Sequence, residues 1–211
     1  MDSKWEHQSL TQEFFRHSFN SLCQLQLSSN LKYKGEKRMF MDLIANRRSI
    51  RRFTTDKVET EKIELLKEAA LRAPSSRGSN PWEFIFITDR NLLEKLSGAK
   101  PHGSTFLKDA QLGIVVCADP QKSDIWVEDA SIAAIFIQLA ATYLELGSCW
   151  IQIRERLHDE TQTADAYIAD QLNIPAHLKV ESMIAIGYPA ESKSPHLKEK
   201  LQNEKIHLNQ Y

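Results

Sequence analysis

From Ile125 to Leu146 the chain reads IWVEDASIAAIFIQLAATYLEL. The spacing predicts one long helix, apolar on most of its circumference from Ile132 onward. One sheet face covers only one stripe of a helix, so this one needs more apolar partners than a single sheet provides. The expectation is a layered domain whose longest helix also lies in a dimer core. Gly147 follows and is expected as the C-cap.

The flanking segments fit such a layered domain. WEFIFIT (82–88), LGIVVCA (112–118), SCWIQIR (148–154) and SMIAIG (182–187) read as strands, the second too apolar to have a wet face. Helices are expected at Asp42–Arg48, at Thr60–Ala73 and at 91–97. Another should run from Ala164 to Leu172, and a turn or two from Pro195 to Asn203, before an extended tail. In the second of these Thr60 should be the N-cap, with Ile63, Leu66, Ala70 and Ala73 on one face and Pro74 as the stop. Strands and helices alternate without an internal repeat, giving an α+β or α/β domain over residues 39–211.

Residues 1–38 differ: polar, rich in Ser, Gln, Asn and Lys, and without a sustained period. They are expected to be an N-terminal extension. Lys34-Gly35-Glu36 can be encoded by a purine-rich ribosome-binding sequence just before Met39, so the expectation is that translation starts at Met39 or Met41. An intact Met1 or Asp2 terminus in the mass spectrum of the natively expressed protein would refute this.

With 27 basic and 28 acidic side chains in 211 residues, the formal charge is −1. No global field draws nucleic acid or an anionic membrane. The apolar stretches are broken well before the ~18 residues of a membrane span, and no signal-peptide core opens the chain, so a soluble cytoplasmic protein is expected. Cys23, Cys117 and Cys149 are odd in number and far apart, suiting buried thiols better than a disulfide framework or a metal site.

Against this neutrality, residues 47–53 read RRSIRRF. Three readings compete on the residues alone. The arginines can complement a helix C-terminus, form an anion site through planar bidentate donors, or bind nucleic acid. The last is disfavoured by the absence of interleaved aromatics. Residues 74–81, PSSRGSNP, read as a tight turn before a strand.

RRSIRRF, then APSSRGSNPWEFIFIT, EDASIAA, LAATYLELGSCWIQIR and IAIGYPAE, in that order, resemble the FMN-dependent nitroreductase family along essentially all of residues 41–211. The resemblance is to its compact branch, because few residues separate Ala118 from the long helix, where larger members insert a helical lid. It implies an α+β nitroreductase-like fold, a mostly antiparallel or mixed central sheet flanked by helices, and a homodimer with FMN at the interface.

It also implies that Arg47, Arg48 and Ser49 engage FMN on its phosphate and ribityl side and at the ring edge, with Arg51 toward the pyrimidine side. Ser75, Ser76, Gly78 and Asn80 would belong to a loop that crosses to the partner's cofactor. Gly78 stands where many members have Asn. Main-chain donors around Trp150, Ile151 and Gln152 would meet the N5 and O4 edge, and Lys205, with His207, would complete the phosphate site. No catalytic side chain is implied. The implied reaction is ping-pong hydride transfer through flavin N5, from NADH or NADPH to a nitroaromatic, a quinone or a similar acceptor. Flavin sequestration without NAD(P)H oxidation, reductive dehalogenation and enoyl reduction are the alternatives within this fold. No G-x-G-x-x-G follows a strand, so no separate dinucleotide domain is expected.

Overall fold

A computed structural model describes residues 39–211, of which Leu43–Tyr211 form one compact unit. The expectations for residues 1–38 lie outside the described residues. Four strands, β1 (Trp82–Ile87), β2 (Leu112–Ala118), β3 (Gly147–Gln152) and β4 (Lys179–Gly187), form one sheet in the order β1-β2-β4-β3, every pair antiparallel. The helices are α1 (Met39–Asn46), α2 (Thr60–Leu71), α3 (Arg90–Ser97), α4 (Trp126–Tyr143) and α5 (Ala164–Leu172).

Alternation along the strands divides the core between two faces. Leu112, Ile114, Val116, Ile184 and Ile186 pack with α4 and with Leu66 and Ala70 of α2. Val115, Cys117, Met183 and Ala185 pack with Leu93 and Leu96 of α3, Leu107, and Ala164 and Ile168 of α5. Every residue of β2 is buried, as its unbroken apolar run implies for a central strand covered on both faces. A bulge between Val116 and Cys117 leaves Glu181 of β4 without a register partner on β2.

Several boundaries differ from the sequence reading. Glu59, not Thr60, is the N-cap residue of α2, and no side chain caps that end. The end of α4 does not use Gly147 either. Leu144 is the C-cap, Glu145 takes the left-handed position (φ 63°), and Glu145 N–H and Leu146 N–H donate to Thr142 O and Ala141 O, a Schellman closure. Gly147 opens β3 instead, where a Cβ would come within 2.8 Å of Ile50 Cγ2. Its missing side chain serves close packing, not the helix end. Residues 119–125 alone join β2 to α4, so no lid is inserted there. Among the described residues no helix is long and apolar enough to cross a membrane.

Candidate active site

The arginine run starts at the C-terminal end of α1, where Arg47 N–H donates to Leu43 O at 2.8 Å, and then leaves the helix. α1 stops at Asn46, and the chain from Arg48 to Phe53 is non-helical, meeting β3 at Ser49–Ile50 and the segment after β4 at Arg52–Phe53. Ser49 pairs with Ser148 in a parallel bridge, and Ile50 N–H donates to Ser148 O at 2.9 Å. Phe53 bridges to Pro189, Thr54 N–H donates to Tyr188 O, and Ala190 N–H donates to Arg52 O. Arg47 and Arg48 have different neighbours: Arg47 acts on Cys149, whereas Arg48 donates to Ser194 O.

Arg47, Ser49 and Arg51 lie near the buried Cys149. Burial raises that thiol's pKa, while Arg51, the Ser49 hydroxyl, Lys193 and Arg47 act to lower it. The Arg51 guanidinium also sits over the Phe106 ring, 5.6 Å from its centroid. Ile50 is buried against Gly147. Arg48 borders a pocket of about 700 Å³ whose walls include Asn46, Glu145, Gly147, Glu191 and Lys193.

The segment after β4 fixes this run. Glu191 Oε1 accepts from Arg51 N–H at 2.6 Å and from Arg52 N–H at 3.3 Å. The first of these bonds is the main cause of a Glu191 pKa below the usual carboxylate range, with Lys193 assisting. Lys193 lies 3.5 Å from Glu191 Oε1 and donates to Ser49 O. Lys193 is thus the basic residue that the fold brings to the run. Lys205 sits in an exposed turn, Asn203–Lys205, and no hydrogen bond or ion pair joins it to the arginines among the described residues. Lys193 was open to detection only as a lysine shortly after the G-Y-P turn.

Among the described residues β3 is an edge strand, and beyond the Ser49–Ser148 bridge the outer edge of Cys149–Gln152 has no strand partner. Ile151 is buried toward α5, whereas Trp150 Nε1–H donates to Gln152 Oε1 at 3.1 Å and Gln152 Nε2–H donates to Arg154 O at 3.0 Å. The expected main-chain donors therefore belong to a strand with one open side.

The Ser75–Asn80 loop is a separate, closed element. Ser75 Oγ donates to Asn80 Oδ1 at 2.7 Å and accepts from Asn80 N–H at 2.9 Å, so these two expected cofactor contacts hold each other. Arg77, Gly78 and Asn80 all have positive φ. Space is open where a Gly78 side chain would be. Among the described residues no hydrogen bond or ion pair joins this loop to the arginine run.

Two buried acids went unread as site residues. Asp129, in the first turn of α4, is 1% exposed; its Oδ1 accepts from Ser76 N–H and its Oδ2 from the Ser123 hydroxyl, both at 2.8 Å. Glu181 is 2% exposed, and burial pushes its carboxyl up to about 7. Ser182, Ser131 and Arg154 offset only part of that shift. The Ser131 contact is long, 3.4 Å, and Glu181 Oε2 and Ser182 Oγ complete no hydrogen bond of normal geometry.

Residues 44–102 and 98–188 match the family model described as the nitroreductase family. A protein of Archaeoglobus fulgidus, provisionally named NADH dehydrogenase/NAD(P)H nitroreductase, is 39% identical over 157 residues, 72% of this chain and 87% of that protein. One of the same name from Methanothermobacter thermautotrophicus is 34% identical over 190 residues, 89% of this chain and 95% of that protein. Among solved structures, an FMN-dependent nitroreductase of Clostridium difficile R20291 superposes with a TM-score of 0.79 at 46% identity, covering 80% of this chain and 98% of that one. A basic segment bridged to the edge strand of an antiparallel sheet, a family match through the body of the domain and relatives covered almost end to end agree: the chain belongs to the nitroreductase family.

Proposed function

We propose that this chain is an FMN-dependent NAD(P)H oxidoreductase that reduces nitroaromatics, quinones or similar electron-poor acceptors, and that it works as a cytoplasmic homodimer. One observation carries the reading: the arginine run is joined to the edge strand β3 at Ser49–Ser148, with Arg47, Ser49, Arg51 and Lys193 near Cys149 of that strand, whose outer edge beyond the bridge has no strand partner among the described residues. A phosphate monoester carries nearly two negative charges and takes charge-assisted hydrogen bonds from guanidinium and ammonium groups. Arg47 and Ser49 suit the phosphate and ribityl side, Arg51 the pyrimidine side, and the backbone of Trp150–Gln152 the ring edge. Arg48 and Lys193 border the adjoining pocket, so positive charge flanks the run on both sides. The C. difficile relative is named FMN-dependent, which supports carrying the same cofactor to these residues.

When bound, FMN supplies hydride exchange between NAD(P)H and the acceptor. The chain's own part is to bind, orient and present charge. α4 supports the homodimer: Ile132, Ile135 and Phe136 are each 38% exposed and Tyr143 is 62% exposed, an apolar face that a second copy would cover. The Ser75–Asn80 loop, unconnected to the arginine run within one chain, would meet the cofactor of the second copy. Cys117 and Cys149, both free and buried, suit a reducing compartment.

The test is to purify the protein, record its visible spectrum, identify any released pigment, and then add NADH or NADPH anaerobically. Bound FMN that bleaches supports the reading. Protein that stays yellow with both reductants points to flavin sequestration, and colourless protein that ignores added FMN overturns flavin binding altogether.

A further inference from the structure

We propose that Asp129 is a positioning residue for cofactor binding, its buried carboxylate setting the shape of the Ser75–Asn80 loop through the Ser76 amide. This rests on the reading that the loop contacts FMN, and it names the group that holds it there. A first-turn acid needs no role beyond complementing the helix dipole, and the exposed Glu128 fits that description. Asp129 does not. Its carboxylate is buried and spends one oxygen on Ser76 N–H and the other on Ser123, drawing two separate loops to the start of α4.

The loop needs such a tie. Its internal bonds, Ser75 with Asn80, Gly78 N–H to Ser75 O and Ser79 N–H to Ser76 O, join only its own residues. Among the described residues, Ser76 N–H to Asp129 is the hydrogen bond that links residues 75–80 to the rest of the domain. Arg77 and Asn80 are non-glycine residues in the left-handed region, with φ 54° and 45°. Such conformations persist only where the surroundings over-determine them. Without Asp129 the Ser76 amide loses its acceptor, and nothing of equal strength holds the loop's entry.

The experiment uses the full chain, wild type and the variants Asp129→Ala and Asp129→Asn, with FMN as the probe. FMN affinity is read by fluorescence quenching, loop order by hydrogen exchange at the Ser76 amide and by tryptic cleavage after the exposed Arg77, and folding by circular dichroism. Asp129→Ala should retain its secondary structure, expose the Ser76 amide, speed cleavage and weaken FMN by about tenfold or more. Asp129→Asn keeps a carbonyl acceptor for Ser76 and should stay within about threefold of wild type. Wild-type FMN affinity in a folded Asp129→Ala with an exposed Ser76 amide would overturn the proposal. So would an Asn variant as weak as the Ala variant, since charge and not the bond would then matter. If Asp129→Ala does not fold, Asp129→Asn and Ser123→Ala decide, the latter leaving the Ser76 bond in place and expected to bind as wild type. If wild type takes up no FMN, the cofactor role falls with the functional reading, while exchange and cleavage still report whether Asp129 holds the loop.

Discussion

Replacing Glu181 with glutamine should make the protein more stable, and increasingly so as pH rises. The carboxyl is 2% exposed, one oxygen lacks a partner, and its pKa lies at about 7 against an ordinary 4.5, chiefly because burial disfavours the charged form. Between those two values the folded chain keeps a proton on Glu181 that the unfolded chain has released. Stability is therefore fully present below about pH 4.5, declines as pH rises, and levels off above about pH 7. At about 1.36 kcal/mol for each pH unit separating the two values, the loss approaches roughly 3 kcal/mol. Glutamine is neutral throughout and adds a donor beside the unpartnered Ser182 hydroxyl. The assay is urea unfolding of both proteins from about pH 4.5 to 8.5, at fixed protein and flavin concentration because ligand and partner binding shift apparent stability. The curves should nearly coincide at the acid end and separate by roughly 3 kcal/mol at the alkaline end, equivalent to about 6–12 °C in melting temperature for a domain of this size. Parallel curves would show that Glu181 is not held neutral by burial and would refute the reasoning.

Arg47→Ala should weaken FMN binding by about 1.5–3 kcal/mol, the range for a hydrogen bond to a charged group, measured by flavin titration; unchanged affinity would remove Arg47 from the site. Gly147→Ala should cost about 1–3 kcal/mol in urea unfolding, because its Cβ would press on three atoms of Ile50 at 2.8, 2.9 and 3.1 Å while Ile50 N–H is bound to Ser148 O. A wild-type midpoint would mean that the arginine run is looser on β3 than its contacts imply. Phe136→Asp puts a charge on the exposed apolar face of α4 and should halve the mass measured by light scattering if that face joins two copies; an unchanged dimer would place the interface elsewhere.

Local pattern carried the fold where one physical demand acted on each residue. LGIVVCA could only be a strand covered on both faces, and it is the central β2. The helix expected from Ala164 to Leu172 is α5 with those bounds, and the structure adds its cap, the Thr163 hydroxyl accepting from Ala166 N–H. The pattern misled where two demands met at one position. Gly147 suits a helix C-cap and also a close approach of chains, and Ile50, far away in sequence, decides for the second. The helical pattern around Asp42–Arg48 reaches into the arginines, yet α1 ends at Asn46 because residues 49–50 pair with Ser148. Neither outcome is legible without the tertiary partner.

The site divides in the same way. The arginine run was conspicuous because so much like charge in so few residues has no cheap explanation in a neutral chain. Adjacent arginines do not share a target, however: Arg47 and Arg51 flank Cys149, whereas Arg48 turns to Ser194. Three acids with distant partners carry no local signal of those contacts, and Asp129 reads from sequence only as a first-turn acid of the long helix. Asp129 reaches Ser76 across 53 positions, Glu181 reaches Ser131 across 50, and Glu191 reaches Arg51 across 140. Glu191 shows why such an acid belongs in a cationic site. Like charges packed into a short run repel, and a carboxylate that accepts from the backbone N–H groups of Arg51 and Arg52 offsets that repulsion without bonding either guanidinium. The arginines stay available for an anion, and the segment that presents them is pinned by its main chain.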